Sequence, residues 1–250
     1  MKQYPDTEAY MINYYGGSFG SFITGLILLF LNVIPENEQI EFSINGNSHR
    51  FASLRSVNYN RADTNMMTDQ IYDKVEPVNP LTPLVMAGHA FPIWDDLFYY
   101  YPKCKNIIVT FTKADKPRLM GNIFFKAMVD EFHEGNADAK LLWESFKSRR
   151  PAFFEKNNII VPEDLTSAQL EVLLARALNI NEKYIIEDYS DNPNVFYLPM
   201  SDIVHNKNKT LLTLEQITNR RITPRIIETY DKFLLAQDKL VKTKMPWVRV

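Results

Sequence analysis

Glycine is scarce in this 250-residue chain. There are 8, and four of them fall between positions 16 and 25. Cysteine is scarcer still: Cys104 stands alone, which excludes an internal disulfide and any cysteine-based metal site. Neither sign of charge dominates, with 28 basic and 30 acidic residues and a net charge of −2. That balance argues against a nucleic-acid coat or a polybasic membrane binder, and leaves room only for a local basic pocket. Near the C-terminus, Lys232, Lys239, Lys242 and Lys244 are offset by Glu228, Asp231 and Asp238, the pattern of a solvated helix face. Long apolar runs are missing too. The longest covers 22–34 and is broken by Thr24, Gly25 and Asn32. A membrane span needs about 20 residues, so a buried core helix is the expectation. The acidic N-terminal stretch has no secretory layout, and with a single cysteine the expected setting is the cytoplasm.

What is present suits one globular unit. Apolar residues make up 46% and charged residues 23%, enough to bury a large core without staples. There is no repeat and no internal linker, so 1–250 reads as a single domain. Segment 9–15 reads as a strand, 16–21 as a loop and 22–33 as a helix ended by Pro35. Asn45-Gly46 between 40–44 and 49–54 signals a hairpin, and 65–75 a short helix. Strand 84–87, helix 94–101 and strand 105–112 follow, then a helix opened by Pro117 and running to about 132. The middle third is helical at 137–147 and 166–178. Strand 194–198, helix 211–219 and a last helix 223–244 complete the chain; that helix places Ile227, Tyr230, Leu234 and Val241 on one face. Strands separated by helices imply an α/β fold: three layers, with a central, mostly parallel sheet and a helical middle and C-terminal portion.

The glycine cluster sits between the first strand and the first helix and reads Tyr15-Gly16-Gly17-Ser18-Phe19-Gly20-Ser21-Phe22. Backbone N–H groups at a helix start, aided by the helix dipole, bind anions, and glycine lets the anion approach. Ser18 and Ser21 are candidate hydroxyl donors. The loop is neither a Walker motif, since no Lys-Ser or Lys-Thr follows Gly20, nor a dinucleotide fingerprint. A tight turn with close helix–strand packing is the plainer reading of the same residues.

Two further segments carry chemistry. His89 follows strand 84–87, where a general base would stand beyond a C-terminal strand end; capping the next helix is its plainer role. His49, His133 and His205 show no metal-ligand spacing. After strand 105–112, Lys113 and then Asn122, beside Phe124-Phe125, put a cation and a polar group where a second phosphate can be clamped. A solvated, lysine-rich turn is the alternative.

Taken together, the loop at 16–22, Gly88-His89-Ala90-Phe91-Pro92 and the 105–125 segment resemble the sulfotransferase family, whose members have a P-loop-type fold. Val195-Phe196-Tyr197-Leu198-Pro199-Met200-Ser201-Asp202-Ile203 is similar to the family's late strand and acidic turn, and Lys244-Met245-Pro246-Trp247 to the ending of small phage and viral members. The resemblance covers most of the chain in order. It implies transfer of a sulfuryl group from 3′-phosphoadenosine 5′-phosphosulfate (PAPS) to a hydroxyl or amine of a small-molecule or glycan acceptor. It makes His89 the general base, Gly16, Gly17, Ser18, Phe19, Gly20, Ser21 and Phe22 the phosphosulfate loop, and Lys113 and Asn122 the 3′-phosphate anchors, with no metal. Two family features have no counterpart: the loop lysine, whose place is taken by Gly16 or Gly17, and the C-terminal Arg-Lys-Gly segment, for which Arg220, Arg221 and Arg225 are the nearby substitutes.

Two other classes fit the same residues. A nucleotide or nucleoside kinase would need a loop lysine, which is missing, and a magnesium carboxylate, which Asp95 or Asp96 could supply. A non-enzymatic virion or assembly component would keep the fold without turnover. The sequence expects no nucleic-acid or membrane partner, is compatible with a homo-oligomer, and assigns acceptor choice to 55–83 and the helical middle third.

Overall fold

The computed structural model describes residues 3–15, 17–34, 83–88, 95–115, 118, 119, 122 and 191–244. The hairpin at 40–54 and the helices at 65–75, 137–147 and 166–178 fall outside these residues, as does most of the helix expected at 117–132.

The architecture is α/β. Strand β1 (Ala9–Asn13) is buried along its whole length. It pairs in parallel with β2 (Leu84–Gly88) on one side and β3 (Lys105–Thr110) on the other, and β3 pairs in parallel with β4 (Val195–Pro199). The order is β2-β1-β3-β4, with Asn13 level with Gly88 and Ile108. The helices are α1 (Gly20–Phe30), α2 (Asp95–Tyr100), α3 (Met200–His205), α4 (Lys207–Thr218) and α5 (Pro224–Lys244).

Strand alternation splits the core into two faces. Tyr10, Ile12, Val85, Ile107, Val109 and Leu198 pack with α1 and with residues of α3, α4 and α5. Ala9, Met11, Leu84 and Met86 pack on the other face against Tyr100, Tyr101 and Cys104. Every residue of α1 is buried, which is why its sequence is apolar all round. This helix ends before Pro35 is reached. Asn32 adopts a left-handed φ of 54°, its N–H bonds to Leu29 O at 3.1 Å, and the Val33 N–H to Leu28 O at 3.0 Å. Those two bonds form a Schellman motif, in which asparagine does the work usually given to glycine.

At the other end of the chain, Thr223 accepts from the Ile226 N–H at 3.4 Å and so caps α5, with Pro224 as its first residue. The buried stripe of α5 runs through Ile226, Tyr230, Phe233, Gln237 and Leu240. Ile227, placed on the core face by sequence spacing, is instead 41% exposed, because the stripe begins one residue earlier at Ile226. Segment 200–203, expected as a turn, is the start of α3. Tyr230 holds it by donating to Ile203 O at 2.6 Å.

The amino edge of the sheet is tied to α4. The half-buried Lys105 donates to Ile217 O in the last turn of α4 and lies 5.4 Å over the Tyr10 ring, a favourable place for a cation at a helix C-terminus. Tyr10 donates to Glu8 Oε1 at 2.5 Å, and Arg220 pairs with the other oxygen of Glu8 at 3.4 Å.

These buried groups set a pH dependence. Burial raises the Cys104 thiol and the Tyr230 hydroxyl above their ordinary values of 9.0 and 10.0; for Tyr10 burial acts together with the bond to Glu8. Folded protein therefore keeps these protons to higher pH than unfolded protein does. The stability they provide is complete below about pH 9 and falls as pH rises beyond it. Lys105, lowered first by burial, works in the opposite sense but is a single group. Urea midpoints measured between pH 7.5 and 10.5 are expected to fall above pH 9, and Cys104→Ala to move the onset towards 10.

Candidate functional site

The order of the strands defines where a ligand fits. From β1 the sheet grows to one side with β2 and to the other with β3, so the topological switch lies between the carboxyl ends of β1 and β3. Open α/β sheets bind ligands in that crevice. The two chain segments that leave β1 and β3 there are the glycine loop and the segment carrying Lys113 and Asn122.

The loop is built as follows. After Asn13 the chain leaves the ladder, two residues earlier than the sequence suggests, because Tyr14 and Tyr15 take other work. The buried Tyr14 ring covers Gly20 so closely that a Cβ added there would lie 1.8 Å from its Cγ. Tyr15 O accepts two bonds from Ser18, one from its N–H at 3.0 Å and one from its hydroxyl at 2.7 Å. Gly17 sits at φ 85°, a conformation natural to glycine. Phe19 then takes φ 68° and ψ 16° as the N-cap of α1, with no side-chain cap. A bulky residue in this left-handed region carries about 1–3 kcal/mol of strain. First-turn N–H groups have no acceptor within a helix, and Phe19 offers none from its side chain. The loop thus brings the amide end of α1 to the switch point.

Hydroxyl groups contribute little to that end. Ser18 is buried and its hydroxyl is bonded to Tyr15, while the buried Ser21 hydroxyl lies 3.4 Å from Tyr14 OH. What the loop offers an anion is backbone N–H.

The second segment meets the first. Asn122 donates from Nδ2 to Gly17 O at 2.8 Å, across 105 residues of sequence. It is 9% exposed, and its Oδ1 is buried with no hydrogen-bond partner among the described residues. Tyr15 and Phe111 add a ring contact at 5.6 Å. Lys113 opens a 3₁₀ turn of residues Lys113–Asp115, three residues beyond the end of β3. That turn is fixed by Asp115, whose Oδ2 accepts from the Thr112 N–H and hydroxyl at 2.8 and 2.9 Å. Its carboxylate also faces Arg118, whose guanidinium is lowered first by burial and held up by Asp115 and Asp238. Arg118 is a cation of the site segment that sequence reasoning passed over. The only signal was an arginine directly after Pro117.

Beneath the crevice, Asn13 donates to Asn106 Oδ1 at 2.6 Å; both are buried, and Asn13 Oδ1 and Asn106 Nδ2 have no partner among the described residues. Their free donor and acceptor suit a bridging water.

The structure therefore brings Gly17, Ser18, Phe19, Gly20, Ser21 and Phe22 together with Asn122, and places the Lys113 backbone at the same sheet edge. Gly16 and His89 lie outside the described residues. The last residue of β2, Gly88, is level with the end of β1. Among the described residues no group of three or more His, Cys, Asp or Glu could hold a metal ion, and no helix is long and apolar enough to cross a membrane. No protein-family model matches the chain, and no curated protein matches it.

Proposed function

We propose that the chain binds the phosphate groups of a nucleotide at the crevice between β1 and β3, and that it transfers a sulfuryl group from PAPS to a hydroxyl or amine. One observation carries the binding half: the Asn122–Gly17 bond ties the segment after β3 to the loop after β1, at the switch point and at the amide end of α1. The choice of PAPS rests on the family resemblance of the three segments.

In this reading PAPS supplies an activated sulfuryl group whose leaving group is adenosine 3′,5′-bisphosphate. The N–H groups of Gly17, Phe19, Gly20 and Ser21 hold the 5′-phosphosulfate end and stabilise charge as it builds there, while that of Ser18 is taken by Tyr15 O. Lys113 supplies the cation for the 3′-phosphate. Asn122, with its amide hydrogen already on Gly17, fixes the loop rather than reaching for the ligand. His89 takes the proton of the acceptor as its oxygen or nitrogen bonds to sulfur.

The donor set proposed for the anion is backbone amide on one side and, in the neighbouring turn that it opens, the lysine at position 113. It lacks the loop lysine, and that gap makes a non-catalytic protein the second reading. Calorimetric titration separates the cases. Adenosine 3′,5′-bisphosphate is expected to bind without magnesium, and ATP with magnesium not to bind. The reverse result supports a kinase, and binding of neither supports a non-catalytic protein. Asn122→Ala is expected to weaken bisphosphate binding about tenfold by releasing Gly17, checked in the same titration. His89→Ala is expected to abolish transfer with affinity nearly unchanged; normal transfer by this variant would remove the base assignment.

A further inference from the structure

The geometry points to Phe233 of α5 as a positioning residue of the phosphate loop beside Asn122, an inference that rests on the anion-binding reading above and extends it to a distant helix. Phe19 holds a left-handed conformation that glycine would adopt freely, yet the chain uses phenylalanine there. No hydrogen bond from its own side chain caps α1. What holds it is packing. The Phe19 ring is 7% exposed and meets the Phe233 ring edge-on at 5.3 Å. The same Phe233 ring stacks on Phe22 at 3.7 Å with 10° between planes. One side chain of α5 therefore grips both the residue before α1 and a residue of its first turn. Between those two grips lie Gly20 and Ser21, whose backbone belongs to the amide end of the helix.

The consequence is conditional order. With Phe233 in place, the strained turn at 17–19 persists and α1 presents its N–H groups at the crevice. Without that ring, Phe19 relaxes out of the left-handed region and the turn loses its shape. Glycine at 19 would tolerate the turn without the ring. Loop order and core packing can thus be separated by combining two substitutions.

The test uses the full chain with Phe233→Leu, or Phe233→Met if the first does not fold, alone and combined with Phe19→Gly. Two readouts are taken: amide hydrogen exchange of 17–21 without ligand, and titration with adenosine 3′,5′-bisphosphate. Phe233→Leu is expected to speed exchange of these amides about tenfold relative to α4 and to weaken bisphosphate binding about tenfold. Adding Phe19→Gly is expected to restore most of the affinity while lowering the melting temperature further. Simple loss of core packing cannot produce that opposition, since the double variant has lost two buried rings. Unchanged loop exchange in Phe233→Leu overturns the inference, as does failure of Phe19→Gly to restore affinity. If the unmodified protein does not bind the bisphosphate, the anion-binding reading fails, and loop exchange alone decides the role of Phe233.

Discussion

Gly20→Ala is expected to destabilise the protein by about 3 kcal/mol, at the upper end of the usual cost of overpacking. The added Cβ would lie 1.8 Å from Tyr14 Cγ and 2.1 and 2.3 Å from the two Cδ atoms. Those atoms belong to the base of a ring, not to the far end of a flexible chain. The ring is itself buried at 7% exposure, so it cannot swing clear without displacing its neighbours. Either β1 and the start of α1 separate or the ring leaves the core. For a chain of this size the cost corresponds to a fall in melting temperature of roughly 6–12 °C. Tyr14→Leu in the Gly20→Ala background should recover part of the loss, and a double-mutant cycle measures the coupling. Full stability in Gly20→Ala would mean that this close helix–strand approach is not present.

Phe22→Ala is the second large effect, expected at about 3–5 kcal/mol. Phe22 is fully buried; it stacks on Phe233 at 3.7 Å and meets Tyr230 edge-on at 5.0 Å, so its removal opens a void between α1 and α5. Its ring also anchors the first turn of α1. Truncation should therefore lower the denaturant midpoint with little change in slope, as expected for a packing loss in a cooperative unit. A loss below about 1 kcal/mol would contradict an aromatic junction between α1 and α5.

The sequence made the sheet visible where local signals were strong. Segment 105–110, with Ile107, Ile108 and Val109 in succession, is a strand buried on both faces, as its unbroken apolar run implies. The glycine cluster marked the turn between β1 and α1. Other features were hidden because they depend on contacts distant in sequence or on backbone states that residue types do not announce. Gly20 reads as room for an anion, yet Tyr14 fills the space a side chain would need. Phe19 gives no hint of a left-handed φ. Asn32 ends α1 through its backbone before Pro35 can. Asn122 was legible as a polar residue of the right segment, but its partner, Gly17 O, lies 105 positions away. The one-residue shift of the α5 stripe from Ile227 to Ile226 follows from where Tyr230 and Phe233 meet α1, which no periodicity in α5 alone can fix.

The proposed anion site is the amide end of α1, shaped by 17–19 and held by Asn122. Its most direct test is an amide chemical-shift titration of the ¹⁵N-labelled full chain with adenosine 3′,5′-bisphosphate. Saturable shifts are expected at Gly17, Ser18, Phe19, Gly20 and Ser21 and at Lys113, with α4 unmoved. Shifts confined to the exposed lysines of α5, or none at all, would contradict it.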